Sequence, residues 1–260
     1  MKCSLIITTY NWPEALELVL MSAFRQTSLP DEIVVADDGS RFDTVKLIQQ
    51  YARMSPIPII HAWQEDKDFR AAKSRNLAIS KSCGDFIILT DGDMILHKEF
   101  IADHKKFAKK FFFTQGTRVL LGKTLSAWVL KSKNLDFTFF TKDIKNRKNA
   151  IHSHLLSSVF SRVTKKIHGI KTCNMSFFRD DFISVNGFNE DFTGWGREDS
   201  EFAIRLLNKG VKRQDLRFRA IAYHIWHNEN SRKSLEKNDF ILQRAIDENL
   251  TYCVNGIDKY

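Results

Sequence analysis

Three short stretches carry residue types able to hold a cation and move a proton. In ILTDGDMI an apolar run ends in Asp91-Gly92-Asp93. Carboxylates two residues apart on a strand point the same way, and Gly92 permits a turn, so both can reach one ion. The same pair serves equally well as turn residues at a strand end. In HIWH, His224 and His227 stand three residues apart. On a strand they point to opposite faces; in a turn both can reach one ion. His227 is the first choice of ligand and His224 the second. Carboxylate and imidazole donors without sulfur suit Mn2+, or Mg2+ with more water. Such an ion bridges diphosphate oxygens and neutralises the charge on a departing nucleoside diphosphate.

The third stretch, GWGREDSEF, supplies acids for proton transfer. Gly194 and Gly196 let the backbone turn sharply or approach a ligand, and Trp195 between them offers a flat face to a sugar ring. Glu198, Asp199 and Glu201 crowd the start of a helix. Acids there also offset the helix dipole, but three in four residues exceed what a cap requires. Two nucleotide motifs fail. No GxGxxG follows the first strand. GTRVLLGKT puts five residues between Gly116 and Gly122 where a phosphate loop has four, and Val119, Leu120 and Leu121 suit a strand.

These residues need elements to carry them. CSLIITTY, DEIVVADDGS, IPIIHAW and DFIILTDGD read as strands. Between them, Pro13 opens a helix, Val45, Ile48 and Tyr51 mark another, and FRAAKSRNLAISKSCG is a third, closed by Gly84. The alternation predicts an α/β fold with a mainly parallel central sheet flanked by helices. Ligands of such sheets bind beyond the carboxyl ends of the strands, where Thr8 to Asn11, Asp37 to Ser40 and Asp91 to Asp93 stand. Farther on, FFFTQGTRVLLG and AWVLKS look strand-like, DSEFAIRLLNKG is a helix capped by Gly210, LRFRAIAYHIW reads as a strand, and a last amphipathic helix covers about Ser231 to Asn249. Neither a repeat nor a Pro/Gly/Ser linker divides the chain, which predicts one domain.

The 260 residues, 43% of them hydrophobic, suffice for a substantial core. No apolar run approaches the ~20 residues that cross a bilayer, and the N-terminal apolar run is too short for a signal peptide; a cytoplasmic protein is expected. Four cysteines lack CxxC spacing and read as reduced thiols. The net charge of +9 is uneven: Lys131 to Lys171 holds ten Lys/Arg and two Asp, and the rest of the chain sums to +1. Such a segment is either a solvated loop or a contact for an anionic partner: a membrane surface, a phosphorylated acceptor or nucleic acid.

Taken together, SLIITTYNWPEALELVLMSAFRQT, EIVVADDGS, FRAAKSRNLAI and DFIILTDGDMI resemble the nucleotide-binding half of family 2 glycosyltransferases of the GT-A fold. NGFNEDFTGWGREDSEFAIRLL followed by HIWH is similar to the C-terminal half of the β-1,4-galactosyltransferase and chondroitin-polymerase type. The resemblance covers roughly Met1 to Asp93 and Thr172 to Asn230; 103–171 matches only loosely. It implies a single Rossmann-like GT-A domain, with 1–97 as nucleotide-sugar-binding half, 98–230 as acceptor-binding and catalytic half, and 231–260 as C-terminal helix and tail.

By that resemblance Thr8, Tyr10, Asn11, Asp37 and Asp38 hold the base and ribose of a UDP-sugar. Asp68, Arg70, Arg75 and Asn76 lie near uracil and diphosphate, with Asp91 and Gly92. Asp91, Asp93 and His227 fall on the metal positions of a DXD enzyme using Mn2+ or Mg2+, and His224 stands where the galactosyltransferases have a Met ligand. Asp199 becomes the general base, with Glu198, Trp195 and Gly196 at donor and acceptor sugars. The implied activity is inverting transfer of a hexose or N-acetylhexosamine from a UDP-sugar to a glycan or lipid-linked glycan, as in bacterial lipopolysaccharide or capsule synthesis. Expected partners are that donor and acceptor, with peripheral contact to the anionic inner face of the cell membrane through 131–171, and no nucleic acid. The competing readings are a nucleotidyltransferase of similar fold, which would release pyrophosphate, and a non-catalytic carbohydrate-binding module.

Overall fold

The computed structural model describes residues 1–228 and 233–260. The first half alternates strictly: β1 (Cys3–Thr9), α1 (Pro13–Phe24), β2 (Glu32–Asp37), α2 (Phe42–Met54), β3 (Ile59–Trp63), α3 (Ala71–Lys81) and β4 (Phe86–Asp91). β5 (Met94–Leu96), α4 (Phe100–Lys106), β6 (Phe112–Gln115), β7 (Thr117–Leu121) and α5 (Lys123–Ser132) follow. Then come β8 (Ile144–Lys145), α6 (His154–Phe160), β9 (Arg162–Thr164), β10 (Asn174–Phe178) and α7 (Arg179–Ser184). The chain closes with α8 (Glu198–Asn208), β11 (Lys212–Asp215), β12 (Ile221–His224) and α9 (Leu235–Asp247).

Eight strands form the main sheet in the order β3-β2-β1-β4-β10-β6-β11-β9. β3, β2, β1 and β4 run parallel, and β10 is antiparallel to both β4 and β6. Both faces of its centre are covered, so β1 and β2 are apolar without alternation. Leu5, Ile7, Ile33 and Val35 pack beneath α1 and α2, while Ile6, Val34, Ile87 and Leu89 meet a cluster that includes Phe177, Phe182, Phe188 and Phe202. A second sheet, β5-β12-β7-β8, leans on α1 and α5 through Ile95, Val119, Tyr223 and Val129. No helix among the described residues is long and apolar enough to cross a membrane.

Several expectations change. AWVLKS is not strand but the body of α5: Ser126 and Val129, three apart, are its buried face, and Trp128 is exposed. FFFTQGTRVLLG is two strands in different sheets, broken at Gly116, where a Cβ would meet the Asn174 side chain at 2.1 Å. Of LRFRAIAYHIW only Ile221–His224 is strand. Gly84 does not close α3, which ends at Lys81; Arg179 donates to the carbonyls of Ile79, Ser82 and Gly84 at 2.8–2.9 Å and satisfies that end. Gly84 is small because a Cβ would lie 2.3 Å from Ser4 Oγ. The last helix is shorter than 231–249, beginning at Leu235; the first two residues of the expected span, with 229 and 230 before them, lie outside the described residues.

Candidate active site

The carboxyl ends of β1, β2 and β4 open into a cavity of about 540 Å³, a size suited to a small organic ligand. Thr8 is in register with Asp91, and Gly92 N–H donates to the Thr8 carbonyl at 2.7 Å. A Cβ on Gly92 would stand 3.0 Å from that carbonyl oxygen, so the tight return after β4 favours glycine.

Arg75 is the hub of this floor. Its guanidinium is 5% exposed and donates to Thr8 Oγ1 at 3.2 Å, Glu198 Oε1 at 3.1 Å and Asp91 Oδ1 at 3.3 Å. Burial raises the pKa of Asp91, and Asp93 adds to this against the pull of Arg75. For Arg75 burial is outweighed by Asp91 and Glu198, which hold it charged.

Asp93, His224 and His227 converge. Asp93 immediately precedes β5, whose antiparallel pairing with β12 sets His224 opposite Met94. The strand ends at His224, and Ile225 N–H donates to the Asp93 carbonyl at 3.0 Å. His227 is therefore off the strand, and both imidazoles reach one carboxylate: Nε2 of His224 lies 3.4 Å and Nε2 of His227 3.2 Å from Asp93 Oδ2. One ligand atom from each of the three lies within 4.8 Å of the others. Asp91 is not in that group; it is tied to Arg75.

The donor set fits a divalent cation. Asp93 Oδ1 is buried without a hydrogen-bond partner among the described residues. His227 Nδ1 is 2.6 Å from the Asn228 carbonyl, so that nitrogen carries a proton and Nε2 faces the carboxylate either protonated or across a cation. Bonds of about 2.1 Å put neighbouring ligands about 3 Å apart, close to the spacing here. Burial disfavours charge on Asp93, but hydrogen bonds from His224 and His227 prevail and hold it below the usual carboxylate range. The Asp93 hydrogen bond, working against burial, raises His227.

Across the cavity, α8 begins with Glu198 and Asp199. Arg197 before them is left-handed, φ 79°, and follows Gly194 at 71° and Gly196 at 103°, so the segment turns sharply. Burial, then Glu198, push the Asp199 carboxyl up to about 7, opposed by Arg75. Glu201, the third acid, is turned away: it pairs with the fully buried Arg205 at 2.7 Å. Trp195 stands in the wall with Glu198 and Asp199.

Thr8, Tyr10, Asp38, Arg75 and Asp91 to Asp93 also line this cavity, with His224 and His227. Asp38 accepts from Arg70 N–H at 2.6 Å and from Gln64 at 2.5 Å, and burial raises its pKa. Asn11, Asp37, Asp68, Arg70 and Asn76 are not in the wall, and Gly196 lines a neighbouring cavity. Asn11 accepts from Arg41 N–H at 2.8 Å. Asp37 is buried against His61 at 2.7 Å. Asp68 has a left-handed backbone, φ 63°, and Arg70 donates to the Glu65 carbonyl. Asn76 clamps Phe188, donating to its carbonyl at 2.8 Å and accepting from its N–H at 2.9 Å. The wall adds residues that sequence reasoning missed, among them Trp12, Phe69, Arg118, Lys145, Lys171 and Trp226. Trp226 is inside HIWH, and Lys145 and Lys171 belong to the basic stretch 131–171; Trp12, Phe69 and Arg118 carry no local signal.

The family model described as "Glycosyl transferase family 2" matches residues 4–168, more than half of the chain. The chain belongs to glycosyl transferase family 2. A second model, "N-terminal domain of galactosyltransferase", matches residues 154–228, which hold the GWGRED and HIWH stretches. This family 2 chain is 27% identical over 230 residues to a chondroitin synthase of Pasteurella multocida, covering 80% of itself and 23% of that protein. It is 38% identical over 220 residues to the O-antigen chain rhamnosyltransferase RfbN of Salmonella typhimurium, covering 82% of itself and 63% of the relative. It thus spans less than two thirds of either.

Among solved structures it superposes on Staphylococcus aureus TarS residues 1–349 with UDP at a TM-score of 0.62 and 17% identity, covering 93% and 64% of the two chains. The mannosyltransferase PcManGT of Pyrobaculum calidifontis, with GDP-Man and Mn2+, gives 0.59 at 16% identity and coverages of 88% and 58%. The fold is GT-A. Family membership favours glycosyl transfer over nucleotidyl transfer or a bare binding module.

Proposed function

We propose that this chain is a metal-dependent, inverting glycosyltransferase that moves a hexose or N-acetylhexosamine from a UDP-sugar to a hydroxyl of a glycan or lipid-linked glycan. One observation carries the reading: Asp199 and the Asp93–His224–His227 group face a single cavity, with Arg75 bonded to both Glu198 and Asp91 between them. A Mn2+ or Mg2+ ion bound by Asp93, His224 and His227, with Asp91 nearby, would neutralise diphosphate charge.

The chain's own groups supply the rest. Thr8, Tyr10 and Asp38 bind the nucleoside at the strand ends, and Arg75 fixes Asp91 and Glu198. Trp195 stacks on a sugar ring, and Glu198 orients hydroxyls. Asp199 accepts the acceptor proton as the acceptor oxygen bonds to C1 and the C1–O bond to UDP breaks on the opposite face. Holding both reactants so aligned contributes much of the rate, and the anomeric centre inverts. Residues 1–97 act on the donor side and 98–230 on the acceptor side, followed by a helical tail, 231–260. The named functions of RfbN and the chondroitin synthase support a role in bacterial surface glycan synthesis. A cytoplasmic location with peripheral membrane contact is part of this reading: Leu155, Val159, Phe160 and Val163 are exposed beside Arg162, Lys165 and Lys166, a pairing that favours anionic lipid.

The test is UDP release from a panel of UDP-sugars with Mn2+ and glycan acceptors. Sugar transfer that Asp199→Asn abolishes while UDP binding persists supports the reading. Normal transfer by that variant removes the base assignment, and no release from any donor removes the activity.

A further inference from the structure

The basic stretch does not simply face outward. Two of its residues, Lys145 and Lys171, line the catalytic cavity together with Arg118. Sheet register explains the positions of Lys145 and Arg118. His224 of β12 is paired with Leu120 of β7, and Leu120 with Lys145 of β8. Directly opposed residues project to one face, so Lys145 shares the face of His224, two strand spacings of about 4.8 Å away. Arg118 precedes Leu120 by two residues and projects to that face too. Lys171 comes from the loop before β10 and, like Asp199, lines both this cavity and a neighbouring one of about 600 Å³.

Position in the cavity wall sets these three cations apart: Lys131, Lys142, Lys148, Arg162, Lys165 and Lys166 also show no side-chain partner among the described residues, but they line neither cavity, and two others of the stretch are engaged elsewhere. Lys133 is paired with Glu17 at 2.7 Å, and Arg147 donates to the Phe139 carbonyl at 2.7 Å. The charged groups of Arg118, Lys145 and Lys171 have no ion-pair or hydrogen-bond partner among the described residues. Cations without protein partners along a shared cavity wall await an anion. The donor leaves little for them to do, since its nucleoside and diphosphate belong to the strand-end side, at Thr8, Asp38, Arg75 and the Asp93 group. Lys171 stands instead on the side of the base.

We propose that Arg118, Lys145 and Lys171 form a subsite for an anionic group, a carboxylate or a phosphate, carried by the acceptor. Naming the occupant an acceptor rests on the transferase reading above; the charge preference does not. A uronic acid residue or a sugar phosphate next to the receiving hydroxyl would satisfy it.

Calorimetric titration of the full chain with UDP and Mn2+ tests this. The probes are a disaccharide ending in glucuronate, its carboxyl-reduced glucose counterpart, and the same neutral disaccharide carrying a terminal phosphate. At least one charged probe should bind about tenfold or more tighter than the neutral one, and which one does so separates carboxylate from phosphate. R118Q/K145Q should reduce that lead to within about twofold; K145Q alone, at an exposed position, replaces it if the double variant fails to fold. Equal or absent binding of charged and neutral probes overturns the proposal, as does a lead that survives the substitutions. A loss of UDP affinity as large as the loss of probe affinity overturns it too, by assigning these cations to the donor. Charge preference without sugar transfer sinks the transferase reading alone, and transfer without charge preference sinks the subsite alone.

Discussion

Nη1 of Arg75 donates to Oε1 of Glu198 at 3.1 Å, tying α3 to the first residue of α8 across 123 positions of sequence. Through Asp91 the same guanidinium holds the end of β4. Arg75→Gln strips a buried charge partner from both acids. The expected loss is about 3 kcal/mol, at the low end for a broken buried pair because Asp91 is a third exposed. Denaturant unfolding measures it, and transfer should fall with it.

On the proposed mechanism Asp199 sets the pH profile of transfer. Burial and Glu198 raise it to about 7, and only its ionised form accepts a proton. The rate should therefore climb as pH rises through about 7 and level off above. Asp199→Asn should lose about 10²–10⁴-fold in kcat and the climb itself, with UDP affinity retained. A pH–rate series on both proteins measures this.

Metal demand should follow the Asp93 group. Chelation should abolish transfer, and Mn2+ should restore it. Asp93→Ala or His227→Ala should raise the Mn2+ concentration for half-maximal activity by about tenfold or more. Manganese electron paramagnetic resonance reads binding without any turnover.

Asn76 tests whether a motif position binds or braces. Asn76→Ala leaves the Phe188 N–H and carbonyl without their partner, which should cost about 2 kcal/mol in thermal or chemical unfolding. UDP affinity of the folded variant should stay within about twofold of the parent.

Much of this was written locally in the chain. β1, β2 and β4 are apolar on both faces and hence stand out as short unbroken runs. The acids and imidazoles of the site announced themselves by type. The second half was harder because its strands are two to five residues long and divided between two sheets. AWVLKS misled because exposed Trp128 lies off the face that Ser126 and Val129 define, so its apolar side chain does not mark the buried stripe. Asn76 has the chemistry of a ligand-binding residue, and only the position of Phe188 reveals its bracing role. Lys145 looked like any lysine of a solvated run; its direction depends on a two-residue pairing with β7 that no periodicity encodes.

That pairing has a mechanical corollary. One narrow ribbon, β12-β7-β8, bears an imidazole at one margin and an ammonium at the other. Slippage of the ribbon by one residue would turn both outward at once. On the proposed roles, grip on the departing nucleotide and taste for the incoming glycan are thus geared together: neither side chain can be re-aimed by shifting the frame without re-aiming the other.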